Sequence, residues 1–265
     1  MTTSTLGAHA AAQRPSQAAQ MLIRHFPEVA AGGFAHRDGT VEFYSRVNAL
    51  VRPDTILLDF GAGRGAPHLE DPCEYRRRLL GFRGKVARVV GVDVDPAVLS
   101  NPGLDEAHVF ETGGRLPLSD ASVDLVLADW VFEHLPDPKA MAAEFERVLR
   151  PGGWICARTP NRWHYQYLAA QLIPEALHGR VLGWVQPGRK EVDVFPKHYL
   201  ANDINSVRKL FPSGSFLNCT YAFQPPPAYL PQISAIWSLG LLLDAVTPPI
   251  LRANLFVFAQ KRAVR

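Results

Sequence analysis

A chain of 265 residues, 47% of them apolar, has room for one large α/β domain with an ordinary core. Its formal net charge of +3 is too small to call for a nucleic-acid partner. Three cysteines, Cys73, Cys156 and Cys219, stand far apart without a C-x-x-C pair, which points to a reducing, cytoplasmic setting and away from structural zinc. No charged leader precedes a long apolar segment, so no signal peptide is expected, and no stretch supplies the roughly 20 apolar residues of a spanning helix. Residues 1–20, rich in Ala, Gln, Ser and Thr, read as a frayed or disordered N-terminus, with 21–265 as a single domain.

In chain order, 21–29 reads as a short helix. Thr40 is the expected N-cap of a helix reaching residue 51, with Val41, Tyr44, Val47 and Leu50 as its apolar stripe. Residues 55–60, T-I-L-L-D-F, are an apolar run between Pro53 and a glycine cluster, and read as a buried strand. Gly61, Gly63 and Gly65 then alternate, which admits positive φ and lets a ligand lie against bare backbone. A nucleotide at the carboxyl end of a central parallel strand is the usual arrangement of open α/β sheets. The spacing here is G-x-G-x-G and not the dinucleotide G-x-G-x-x-G. Asp59, two residues before the first glycine, would repel a pyrophosphate but suits the cationic amino end of a methionine moiety. Ala66 and Pro67 stand where a P-loop has Lys and Ser/Thr.

A-P-H-L-E-D-P-C is an awkward helix opening, and a helix over 74–82 follows. Its Arg76, Arg77 and Arg78, with Arg83, Lys85 and Arg88 beyond, read as a solvated face rather than a phosphate or acidic-partner site. Residues 86–94 form the second strand. An acid at its tip can accept from both hydroxyls of a ribose, and Asp93 takes that role, while Asp95 before Pro96 reads as a helix N-cap. Strands over 107–111, 123–128 and 154–158 follow. Between the last two, Asp137 caps a helix with Pro138 in its first position, which runs to Leu149 and is stopped by Pro151-Gly152-Gly153. This alternation predicts a mainly parallel, doubly wound sheet. Past 159 the pattern weakens to a helix over 205–211 and strands over 216–223 and 254–261, which suit an antiparallel edge. The span 210–243 carries no charge; it suits a lipid- or quinone-facing lid or interfacial helix, or a helix packed on the sheet edge or in a dimer interface.

Five motifs occur in order across 50–160: L-L-D-F-G-A-G-R-G, V-V-G-V-D-V-D-P, R-L-P-L-S-D-A-S-V-D-L-V-L-A-D, V-F-E-H-L-P-D-P and R-V-L-R-P-G-G. Together they resemble the class I S-adenosylmethionine (SAM)-dependent methyltransferase superfamily, its small-molecule type 11 branch in particular. The resemblance implies an α/β, Rossmann-like, doubly wound fold whose mainly parallel sheet has seven strands, the last antiparallel. It also implies SAM as methyl donor and S-adenosylhomocysteine as product. It sets Asp59, Gly61, Ala62 and Gly63 around the methionine portion of SAM, Asp93 at the ribose and Val94 on one adenine face. Asp129 and Trp130 would face the donor and the substrate entrance. Relatives often carry Gly-Asp before the L-P-x loop; here Glu111-Thr112-Gly113 stands there, leaving Thr112 or a backbone carbonyl for the adenine amino group.

Methyl transfer from a sulfonium is an in-line displacement with a neutral leaving group, so alignment and desolvation supply most of the acceleration and a base is optional. With a hydroxyl nucleophile a base adds roughly 10²–10⁴-fold. His134 is the candidate base, with Glu133 to orient it or to cap the chain locally; a loop role for both is the competing reading. Tyr44, Asn161, His164 and Tyr165 are candidate substrate residues, with His198 and Tyr199 behind them. No H-x-x-E-H or comparable cluster appears, so no metal is expected. The acceptor is expected to be a small or lipid-like molecule, O-methylated, under a lid near 160–205 and 224–250. The protein is expected to be a monomer or homodimer, with peripheral membrane contact open. A nucleic-acid methyltransferase would favour N/D-P-P-Y/F after the fourth strand, where Asp129-Trp130-Val131-Phe132 stands. A non-catalytic SAM-binding regulatory protein would usually show an eroded glycine motif, and this one is intact.

Overall fold

The structure is a computed structural model that describes residues 16–171, 197–227 and 230–263. Its centre is a sheet of eight strands, β1 (Ile56–Phe60), β2 (Arg88–Asp93), β3 (Glu106–Val109), β4 (Val123–Asp129), β5 (Leu149–Pro160), β6 (Phe216–Asn218), β7 (Tyr221–Phe223) and β8 (Asn254–Lys261). The order is β3-β2-β1-β4-β5-β8-β6, with β7 also on β8. β1 to β5 pair in parallel, and β8 runs antiparallel to β5, β6 and β7. The mainly parallel sheet with an antiparallel last strand is thus present, but the count is eight and not seven. The single strand expected over 216–223 is interrupted where Asn218 Oδ1 accepts from the Thr220 amide at 3.0 Å. Register is kept across the gap, since Asn218 pairs with Ala259 and Tyr221 with Phe256, so β6 and β7 share one edge position.

The strand period of two divides the core. From β1, Leu58 and Phe60 face Phe145 and Val148 of the helix α5 (Pro138–Val148). Leu57 faces the other way, toward Phe43, Tyr44 and Val47 of α2 (Gly39–Leu50), and Asp59 shares that parity. β1 lies between β2 and β4, where the chain reverses the direction in which it adds strands, which is the usual ligand position in such sheets.

Several local details differ from expectation. α2 is capped by Asp38 and not Thr40, because the Asp38 carboxylate reaches the amides of Thr40 and Val41 at 2.9 and 3.0 Å. The first helix, α1 (Gln17–His25), begins four residues before the expected start, with Ser16 as cap; the rest of the N-terminal stretch lies outside the described residues. Arg76 is no solvated cation. It pairs with Asp38 and Asp71, each at 2.8 Å, and ties the segment after the glycine turn to the α2 cap. Asp95 and Asp137 cap as expected. Of the expected lid, 172–196 lies outside the described residues. Among the described residues no helix is long and apolar enough to cross a membrane.

Phe145 sits edge-on to Phe60 at 5.1 Å and faces Phe132 at 6.4 Å, joining α5 to β1 and to the turn after β4. Phe145→Ala is expected to lower the unfolding free energy by about 3–5 kcal/mol in urea titrations, without changing the ligand-facing residues. A loss under about 1 kcal/mol would show that this layer is not the core.

Candidate active site

At the end of β1 the chain turns on three glycines, all with positive φ: Gly61 at 79°, Gly63 at 48° and Gly65 at 78°. Each meets something different. A methyl group on Gly61 would strike Val131, and one on Gly65 would lie 2.5 Å from Asn101 Oδ1. At Gly63 the nearest atom would be Asp93 Oδ2, 4.0 Å away, so this backbone opens on free space. The turn is held from outside by Asn101, whose Nδ2 donates to the carbonyls of Ala62 and Gly63 at 3.0 and 3.1 Å. Sequence reasoning missed Asn101. Its place just after a short 3-10 turn, Pro96–Ser100, carries no motif.

Three aspartates end neighbouring strands here, in different states. Asp93, at the tip of β2, accepts from the Gly63 amide and the Asp95 amide, both at 2.8 Å. Asp129, ending β4, accepts from Arg158 at 2.5 and 2.7 Å and from the Tyr44 hydroxyl at 2.9 Å. Asp59 has no hydrogen bond or cation among the described residues. Burial raises its carboxyl to about 7, with Asp129 and Asp93 pushing the same way. A partnerless acid beside bare backbone calls for a cation from outside.

Next to Asp129, Trp130 takes φ 59°, a left-handed conformation that costs a bulky residue roughly 1–3 kcal/mol. Its amide donates to the Arg158 carbonyl at 2.8 Å, and the Arg158 guanidinium lies 5.1 Å from its ring centre. Gly61, Asp129 and Trp130 border two clefts. One, of about 670 Å³, runs past Tyr44, Asp59, Ala62 and Gly63. The other, of about 1810 Å³, runs past Asp93, Val94, Thr112, Glu133 and His134 to α1, Pro226 and Trp237. Val94, 43% exposed, offers a flat apolar patch on that path. The larger cleft exceeds the 300–1,000 Å³ of a one-ligand pocket, which leaves room for two reactants.

Glu133 is buried, and its carboxyl is raised to about 7 by that burial, against the Thr159 hydroxyl and Lys197. The structure does not bring three of the expected substrate residues to either cleft. Asn161 is spent on the carbonyls of Ile250 and Arg252, at 2.8 and 2.9 Å. His164 is sealed, with both ring nitrogens unpartnered and its pKa lowered to about 4 by burial. Tyr165 donates to Asp244 at 3.2 Å. Tyr44 does line the smaller cleft, with its hydroxyl given to Asp129. His198 lines the larger one, whereas Tyr199 does not. No group of three His, Cys, Asp or Glu side chains placed to hold a metal exists among the described residues.

Residues 58–157 match the family profile described as a methyltransferase domain. A probable S-adenosylmethionine-dependent methyltransferase of Mycolicibacterium smegmatis is 32% identical over 144 residues, 52% of this chain and 50% of that one. The ubiquinone biosynthesis O-methyltransferase of Idiomarina loihiensis is 34% identical over 152 residues, 53% and 55% of the two chains. The chain thus spans about half the length of the curated relatives it matches. Among solved structures, a SAM-dependent methyltransferase from Methanosarcina mazei superposes with a TM-score of 0.51 at 18% identity, over 83% of this chain and 98% of that one. At that identity the likeness is one of fold.

The raised Asp59 carboxyl has a consequence for stability. An unfolded aspartate titrates near 4 and the folded one near 7, so between these values the folded state holds a proton that the unfolded chain has shed. Stability from this group therefore falls as pH rises through the window and levels off above it. Asp59→Asn is expected to unfold at higher urea than the wild type at pH 8, with the gap closing toward pH 4. A gap that does not depend on pH contradicts the raised carboxyl.

Proposed function

We propose that the chain is a class I SAM-dependent methyltransferase, in line with its match to the methyltransferase-domain profile and its relatives, and that it transfers a methyl group from SAM to the oxygen of a small-molecule acceptor by in-line displacement. The observation that carries this reading is Asp59, a carboxylate without a partner among the described residues, beside the open backbone of Gly63. When bound there, SAM supplies an electrophilic methyl on a cationic sulfur. The residues present fit it. Asp59 and the turn Gly61-Ala62-Gly63 would hold the cationic methionine portion, and Asp93 the ribose hydroxyls. Val94 would pack on adenine, with Thr112 near its amino group.

In this reading Asp129 is a positioning residue. Arg158 and Tyr44 occupy its oxygens, so it is poorly placed to take a proton and instead fixes Trp130 at the junction of the two clefts. The acceptor would enter the larger cleft, exclude water against its apolar walls and meet the segment Glu133-His134. A lipid-like acceptor is the favoured class. Leu239, Leu242 and Val246 of the helix Ser234–Val246 are exposed, and Trp237 of the same helix lines the cleft mouth.

Calorimetry with SAM and with NAD tests the cofactor. SAM is expected to bind and NAD not, and Asp93→Ala to weaken SAM by about 10²-fold, the worth of one or two hydrogen bonds to a charged group. Unchanged affinity in that variant, or preference for NAD, contradicts the assignment. A transfer screen with methyl-labelled SAM against fractionated extract then reads the acceptor, and label in lipid-soluble alcohols or phenols is the expected result.

A further inference from the structure

Glu133 follows β4 in one 3-10 turn, Phe132–His134, and lines the larger cleft although only 4% of its surface is exposed. Its backbone is clamped. The carbonyl accepts from the amides of His198 at 2.7 Å and Tyr199 at 3.2 Å, and Tyr199 sits at φ 52°. A strained residue of this kind persists only where its surroundings impose it.

The carboxyl itself is held from one side. Thr159 Oγ1 donates to Glu133 Oε2 at 2.9 Å and accepts from Asn202 Nδ2 at 2.6 Å. The direction of this chain is set by a third bond. The same Nδ2 donates to the Pro160 carbonyl at 3.1 Å, and a carbonyl can only accept, so the Asn202 amide has one orientation. With a lone pair taken by Asn202, the Thr159 hydroxyl gives its single proton to Glu133. The carboxyl also accepts from Glu133's own backbone amide, and Oε1 is not among the buried, unpartnered side-chain atoms of the described residues. One oxygen is thus fixed from behind, while the residue lines the larger cleft.

Building on the methyl transfer proposed above, we propose that the Glu133 carboxylate takes the proton of a hydroxyl-bearing acceptor, with Thr159 and Asn202 as positioning residues. As the acceptor oxygen forms its bond to the methyl carbon, the carbon–sulfur electron pair returns to sulfur and the hydroxyl proton passes to Glu133. The products are a methyl ether, a neutral thioether and a neutral carboxyl, which returns its proton to solvent through the cleft. Burial and Asp129 raise the Glu133 carboxyl while its own backbone amide, Thr159 and Lys197 lower it, to a balance at about 7; His134, next in the chain, and His198, bonded to its carbonyl, are its other titratable neighbours. A base poised at that value is half ionised near neutrality and stronger than an ordinary glutamate.

Two measurements test this. The first needs no turnover: carboxyl titration by NMR in protein labelled at the glutamate Cδ. The wild type is expected to show one glutamate titrating near pH 7, absent from Glu133→Gln and moved further upward in Thr159→Val, which loses the donor. Titration of Glu133 in the ordinary carboxylate range overturns the proposal. The second uses labelled SAM with phenol and with 4-nitrophenol. Glu133→Gln is expected to lose roughly 10²–10⁴-fold on phenol, which must shed its proton during transfer, and far less on 4-nitrophenol, which is largely ionised beforehand. Equal losses on both, or a pH profile that follows His134→Gln instead, overturn it. SAM affinity of the same variants separates the two claims. Absent binding defeats the methyltransferase reading, whereas intact binding with an ordinary Glu133 defeats the proton acceptor alone.

Discussion

A carboxylate without a partner, set against backbone without side chains, is the constraint that orders this molecule. Removing an ion from water without compensation costs several kcal/mol, and proteins avoid it or answer it with a partner. Among the described residues Asp59 has none, yet it sits on an interior strand of the sheet, where β1 is paired on both sides. The two neighbouring acids show what satisfaction looks like. Asp93 is bonded by two amides, and Asp129 by Arg158 and Tyr44. Only Asp59 is left to be completed by something that enters, and the open space beside Gly63 is where that must happen.

The second half of the site follows from how β4 and β5 end. β4 delivers Asp129, then the strained Trp130, then Glu133 within a single turn. β5 runs to Pro160, so Thr159 stands beside Glu133, and the segment before the helix Ile204–Leu210 brings Asn202 behind both. The amides of His198 and Tyr199 tie down the Glu133 carbonyl. The glycine turn after β1 and the Glu133 turn after β4 thus follow two adjacent strands of the sheet.

The glycine turn and the strand-end acids around it were largely legible in the chain. The D-x-G-x-G-x-G run, the acid ending the second strand and the capped helix after Asp137 are local patterns, and local patterns survive folding. What escaped depends on distant partners. Asn101 braces the turn from 36 residues beyond Gly65, with no motif to announce it. Arg76 looked like one of a solvated run until Asp38 and Asp71 closed around it. Asn161, His164 and Tyr165 follow a strand end, as substrate residues often do, but β5 carries them past the cleft and into contacts with the C-terminal segment. Thr40 lost the cap to Asp38 because a carboxylate reaches two amides at once. Glu133 was visible as a residue, while the oriented hydrogen-bond chain through Thr159 and Asn202 that holds its carboxyl is encoded by no spacing.

A cation from outside the chain is expected to complete Asp59, and equilibrium binding of SAM compared with plain adenosine asks this most directly. Adenosine offers the same ribose and base without the charged sulfur and amino end. SAM is expected to bind at least about tenfold more tightly, the equivalent of one charge-assisted contact. Equal affinity for the two, or no affinity for SAM, would contradict it.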